Sequence, residues 1–107
     1  MSYRPKPVTD HYVEALMVNS ENLGKQLAAE SVQGQEIQMI LQFISQIYLA
    51  ETEKITRECE KDMMALERMP SPLRLFVDSI AQARSLTVSP AASELMSKYV
   101  SAWEDWM

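Results

Sequence analysis

From residue 35 to residue 69 the chain contains neither glycine nor proline, and its apolar residues recur at three- and four-residue steps throughout. That spacing predicts one long helix, and at ~1.5 Å rise per residue the stretch would reach about 50 Å. Its two halves differ. Between positions 37 and 49, Ile37, Met39, Ile40, Leu41, Phe43, Ile44, Ile47, Tyr48 and Leu49 cover most of the circumference and leave only a neutral strip of Gln38, Gln42 and Gln46. Such a segment is expected to be buried on more than one side. Between 51 and 68 the apolar set thins to Ile55, Cys59, Met63 and Leu66, and Glu53 is placed for an i, i+4 pair with Arg57. This half is expected to be wet on one side.

The flanking sequence reads as shorter helices. Residues 1–8, with Pro5 and Pro7, are expected to form an extended arm, and 9–107 a single domain. Thr9 or Asp10 can cap a first helix running to about residue 30, with Val13, Leu16, Met17, Leu23 and Leu27 as its stripe. The break falls at "SVQGQ", where Gly34 permits a positive φ. The sequence "MPSPL" ends the long helix, since Pro70 disfavours helical geometry at Met69, Ser71 can cap and Pro72 suits a first helical position. A third helix is predicted over 72–84, with Leu73, Phe76, Val77 and Ile80 on one face. After "SLTVSP", Ser89 and Pro90 repeat the cap-plus-proline logic. They open a fourth helix carrying Leu95, Met96, Tyr99, Val100, Trp103 and then Trp106 or Met107 at helical spacing. The expectation is an all-α bundle of about four helices, with one long central helix at about 35–69 and two short C-terminal helices. Neither a β pattern nor an internal repeat appears.

Length sets a constraint on assembly. A compact chain of 107 residues should have a radius of gyration near ~13 Å, so a 50 Å helix outruns its own globule. Either the helix kinks, around Glu51 and Thr52 where the apolar stripe lapses, or it protrudes and buries its outer face against another chain. A homodimer is the commonest closed solution, so the chain is expected to self-associate, as a dimer in preference to larger assemblies.

Charge narrows the partner class. Fifteen acids against ten bases give a net charge of −5, and the bases are spread from Arg4 to Lys98 without a run. A dedicated nucleic-acid binder needs clustered Lys and Arg to neutralise phosphates, so no direct nucleic-acid partner is expected. The most apolar stretch, 37–50, is too short to span a bilayer and carries three glutamines, and no apolar region follows the two bases near the start. With one cysteine there is no internal disulfide framework. The chain is expected to be soluble and cytoplasmic.

Catalytic chemistry finds little support. His11 precedes Glu14 by three residues in "HYVE", the spacing of di-iron carboxylate bundles, but those need a second such pair and further inward glutamates; an exposed first-turn histidine is the simpler reading. Cys59 lies between Glu58 and Glu60 in "RECEKD", where neighbouring carboxylates discourage a thiolate, so it reads as a small apolar filler. Glu58 and Asp62 form an i, i+4 acidic pair on what reads as a solvated face. Two glycines cannot build a phosphate loop, and no zinc spacing exists. No cofactor or metal is expected, and no enzymatic activity.

What remains is surface for binding. Eight methionines are many for a chain this short, and methionine adapts its shape to partner helices. Met63, Met64, Leu66 and Met69, with Trp106 and Met107 at the tail, are the candidate apolar contacts. The expected function is a non-enzymatic protein–protein interaction module: a small acidic adaptor, chaperone or assembly subunit acting through apolar helix faces. The alternative is a phage- or plasmid-encoded inhibitor that occludes an enzyme, such as a basic nucleic-acid groove, with an acidic helix face of Glu51, Glu53, Glu58, Glu60 and Asp62. A helix-turn-helix reading of "SPLRLFVDSIAQAR" lacks bases, offering only Arg74 and Arg84. In the tail "YVSAWEDWM", Tyr99, Trp103 and Trp106 at i, i+4 and i+7 continue the fourth stripe. Trp103 is expected to pack on Phe43, Ile44 and Ile47.

Overall fold

The computed structural model describes residues 8–61 and 69–106, with side chains described from 10 to 59, at 61 and from 69 to 103. Four helices account for nearly all of it: α1 (Val8–Ala29), α2 (Gly34–Lys61), α3 (Pro72–Ala83) and α4 (Pro90–Trp106). Helices α1 and α3 form a central pair. On one side α2 packs against both of them, and on the other α4 does the same, so α2 and α4 are not neighbours.

Local chemistry sets the helix ends. Ser71, in extended geometry, accepts a 3.1 Å hydrogen bond from the Arg74 backbone N–H and is followed by Pro72 at the first helical position. Ser89 repeats the arrangement at α4, its hydroxyl accepting from the Ala92 N–H at 3.4 Å. Both caps were legible in the sequence. The end of α1 was not. The chain reverses through Ser31, whose φ is 64°, while Gly34 has no positive φ and simply opens α2. The Val32 N–H donates to the Leu27 carbonyl and the Ser31 N–H to the Ala28 carbonyl, both at 3.0 Å. This is the Schellman pairing, and its usual hydrophobic contact falls on buried Val32 and Leu27. Thr9 and Asp10 lie inside the first turn of α1, which already starts at Val8, so neither is its cap. The remainder of the expected 1–8 arm lies outside the described residues.

The core holds Tyr12, Leu16, Leu23 and Leu27 of α1, Ile40, Ile44 and Tyr48 of α2, Phe76 and Ile80 of α3, and Ala92, Met96 and Val100 of α4. On α1 the buried register is Tyr12, Leu16, Leu23, Leu27; Val13 and Met17, placed on that stripe by sequence, are exposed, Met17 at 68%. At Gly24 the helices approach closely, and a Cβ there would lie 3.4 Å from Leu41 Cδ1. On α2, burial is narrower than the apolar pattern suggested: Ile37, Leu41, Phe43 and Ile47 are half-buried, and Met39 and Leu49 are exposed.

The stripe on α2 does not lapse at its middle. Thr52 is buried and donates its hydroxyl to the Tyr48 carbonyl at 2.8 Å, and Thr56 does the same to the Thr52 carbonyl at 2.9 Å. A β-branched residue that returns its hydroxyl to its own helix can continue an apolar stripe. The helix runs unbroken through Glu51 and Thr52 to Lys61; residues 62–68 are outside the described set, and Met69 and Pro70 are not helical. Its 28 residues span about 42 Å. The described molecule measures 48 × 31 × 22 Å, with a radius of gyration of 15.4 Å. The bundle is more elongated than a compact globule, and the described part of α2 fits along it.

Candidate functional site

One aromatic ring from each helix forms a chain across the bundle. Tyr12 and Tyr48 have ring centroids 6.4 Å apart, Tyr48 and Phe76 6.4 Å, and Phe76 and Tyr99 6.2 Å, the last two pairs edge to face. Its first half is locked by hydroxyls: Tyr48 donates to the Tyr12 carbonyl and Tyr12 to the Pro70 carbonyl, each at 2.6 Å. Burial pushes the Tyr48 phenol up to about 12, and the neighbouring Tyr12 adds to the shift. Burial raises Tyr12 too, with Cys59 a smaller contributor, and burial alone raises Tyr99.

Tyr99 ends this chain at the surface, in a groove. Helix α4 carries two apolar stripes. The first, Ala92, Met96 and Val100 at i, i+4 and i+8, is buried in the core. The second, Ala91, Leu95, Tyr99 and Ala102, is turned about 100° away from it at 100° per residue, and it is half-buried or exposed. Across from it stand Leu73 and Val77 of α3, one turn apart, with Leu73 37% exposed at the rim. Together with Gln26 of α1, Lys98 and Trp103 they enclose about 440 Å³. That lies within the ~300 to 1,000 Å³ of ligand clefts, whose usual make-up is apolar walls with a few polar groups. Among the lining residues, Gln26, Lys98, Tyr99 and Trp103 carry polar side-chain groups, and the other four are apolar.

The groove continues toward the start of α4 as a depression of about 130 Å³ lined by Glu30, Ala91, Glu94, Leu95 and Lys98. Lys98 is held by Glu94 at 3.2 Å, with both side chains exposed. Just before α4, the Ser89 N–H donates a 2.6 Å hydrogen bond to the Glu36 carboxylate of α2. One side chain thereby ties the first turn of α2 to the entry of α4.

Sequence reasoning placed its apolar candidates elsewhere. Met63, Met64, Leu66 and Met107 lie outside the described residues, and Trp106 is helical with its side chain outside them. Met69 is half-buried against the core, where its Sδ accepts a 3.3 Å contact from the Cys59 thiol. Trp103 lines the groove with Gln26 of α1 and Leu73 and Val77 of α3; the expected seat on Phe43, Ile44 and Ile47 belongs to α2, whose backbone does not come close to that of α4. The signal for the groove was present, since Leu95 and Tyr99 are one turn apart and flank the Met96 and Val100 stripe. Reading all four as a single face hid it.

The three acidic candidates with described side chains do not share a face: at 100° per residue Glu51 and Glu58 lie on one side of α2, and Glu53 on roughly the opposite side. Glu51 is half-buried, Glu58 is exposed, and Glu53 is paired with Arg57 at 2.9 Å as its spacing predicted. The Glu60 side chain and Asp62 are outside the described residues. His11 is exposed. Among the described residues no group of three His, Cys, Asp or Glu side chains could hold a metal ion, and no helix is long and apolar enough to cross a membrane.

The geometry therefore defines a class: an all-α four-helix bundle with an open apolar groove between its last two helices. Compared with protein-family models, curated proteins and solved structures, the chain matches none.

Proposed function

We propose that this chain is a non-enzymatic protein–protein interaction module, and that it engages its partner through the groove between α3 and α4. The observation that carries the reading is the second apolar stripe of α4, Leu95, Tyr99 and Ala102, opposite Leu73 and Val77. A helix in a small bundle needs one apolar stripe to join its core; this second stripe touches the core only in part and leaves the rest of its apolar area at the surface, where it is suited to another helix. The other exposed large apolar side chains, Val13, Met17 and Val18 on α1 and Met39 and Leu49 on α2, do not line this groove.

Affinity capture from the native host, run in parallel with wild type and Ala102→Arg, tests this reading. Ala102 is exposed on the groove wall, so an arginine there blocks the groove without entering the core. A partner held stoichiometrically by wild type and lost from the variant is the expected result. A partner retained equally by both places the interaction elsewhere on the molecule.

A further inference from the structure

The groove has a charged end, and its sign selects among possible occupants. Leu95 and Lys98 belong both to the apolar groove and to the adjoining depression, so the two form one continuous surface. The carboxylates at that end are Glu30, in the turn that closes α1, and Glu94, on α4. Glu94 is shared with Lys98, but an exposed pair of this kind is worth little and an incoming guanidinium can displace it. The Glu30 carboxylate has no hydrogen-bond or ion-pair partner among the described residues, its backbone N–H closing the last turn of α1. Two carboxylates against one ammonium leave the end of the groove net negative.

The groove's dimensions bear on the shape of the occupant. From Leu95 to Trp103 the α4 wall runs eight residues, about 12 Å, or a little over two helical turns. Across it, Leu73 and Val77 add one turn of α3. A two-turn trough between two helices is complementary to the i, i+3/i+4, i+7 anchors of an amphipathic helix. A second copy of this chain would bring a net charge of −5 against Glu30 and Glu94, which opposes self-docking here.

Resting on the interaction reading above, we propose that the partner element is an amphipathic helix of another protein. Its apolar residues seat between α3 and α4, and an arginine or lysine at one end reaches Glu30 and Glu94.

A display library of two- to four-turn helical peptides, with apolar residues at i, i+3/i+4 and i+7 and randomised flanks, tests the proposal on the full chain. Selected peptides are expected to be enriched in Arg and Lys over Asp and Glu at one flank. They should lose more than tenfold in affinity for Leu95→Glu or Ala102→Arg, and several-fold for Glu30→Lys with Glu94→Lys. If Leu95→Glu fails to fold by circular dichroism, exposed Ala102→Arg carries the test. Binders without basic enrichment, or indifferent to the Glu30 and Glu94 reversal, overturn the proposal. So does a homodimer in sedimentation that Ala102→Arg dissociates, because the groove would then be occupied by a second copy. Should no groove-directed helix be selected while the host partner is still lost on Ala102→Arg, this inference fails and the interaction reading stands. Should host capture ignore Ala102→Arg, the reading itself fails.

Discussion

The Tyr48 hydroxyl donates a 2.6 Å hydrogen bond to the backbone carbonyl of Tyr12, 36 residues earlier, and fixes the depth at which α2 lies against α1. Tyr48 is fully buried, so its phenolic O–H has no water to fall back on. Tyr12 in turn donates to the Pro70 carbonyl, tying the start of α3 to the same pair. Tyr48→Phe removes one such bond with little change in shape and should cost about 1 kcal/mol, read as a lower denaturant midpoint with unchanged slope.

The same pair gives the fold an alkaline limit. Because burial raises the folded Tyr48 phenol to about 12, from 10.0 in an unfolded chain, the folded state holds this proton more tightly. The stability it contributes is therefore complete below pH 10 and lost as pH rises from there through about 12. Tyr12 and Tyr99 shift in the same direction. Thermal melts across this range should show falling stability, and the fall should be shallower in Tyr48→Phe.

Ser31 sits at a φ of 64°, a left-handed geometry that costs a residue with a Cβ roughly 1 kcal/mol and costs glycine almost nothing. Ser31→Gly should therefore raise stability by about 0.5 to 1 kcal/mol while leaving the Val32 to Leu27 hydrogen bond in place. Chemical denaturation of the pair measures it.

Gly24 presents the reverse case. It lies inside α1, and a Cβ there would meet Leu41 Cδ1 at 3.4 Å, an ordinary van der Waals contact. Gly24→Ala should stabilise the fold by about 0.5 to 1 kcal/mol through helix propensity. A loss of stability on the same denaturation curve would mean that the α1–α2 approach leaves no room for the methyl.

Glu36 accepts from the Ser89 N–H at 2.6 Å, joining α2 to the entry of α4 although the two helices are not packed together. Hydrogen bonds to charged groups contribute ~1.5 to 3 kcal/mol, and the half-buried position puts this one near the lower figure. Glu36→Ala should cost about that much and should speed amide hydrogen exchange in the first turn of α4 ahead of α3. Equal acceleration in both helices would contradict a local tie.

Trp103 bears on stability and on the groove together. As a half-buried ring on the groove wall it should cost about 2 kcal/mol when truncated to alanine, below the ~3 to 5 of a fully buried aromatic. Calorimetric melting of Trp103→Ala decides between these figures.

The four helices and the caps at Ser71 and Ser89 were legible in the sequence because they depend on residues within a turn of each other. Tyr12 and Val13 show where legibility ends. They differ by 100° on one helix, both are apolar, and only the packing of α2 and Pro70 against that side selects Tyr12. On α4 the apolar residues fill two adjacent stripes, and periodicity alone cannot say which joins the core. Trp103 was assigned to α2 for want of topology: nothing local tells a chain that α4 will lie against α1 and α3. The Glu36 to Ser89 bond spans 53 residues and leaves no local pattern at all.

Residue-by-residue amide NMR of the nitrogen-labelled chain, titrated with its captured partner, tests the groove most directly. The account predicts the largest shifts at Leu73, Val77, Leu95, Lys98, Tyr99 and Ala102. Shifts concentrated on Val13, Met17 and Val18 of α1, or on Met39 and Leu49 of α2, with the groove unchanged, would contradict it.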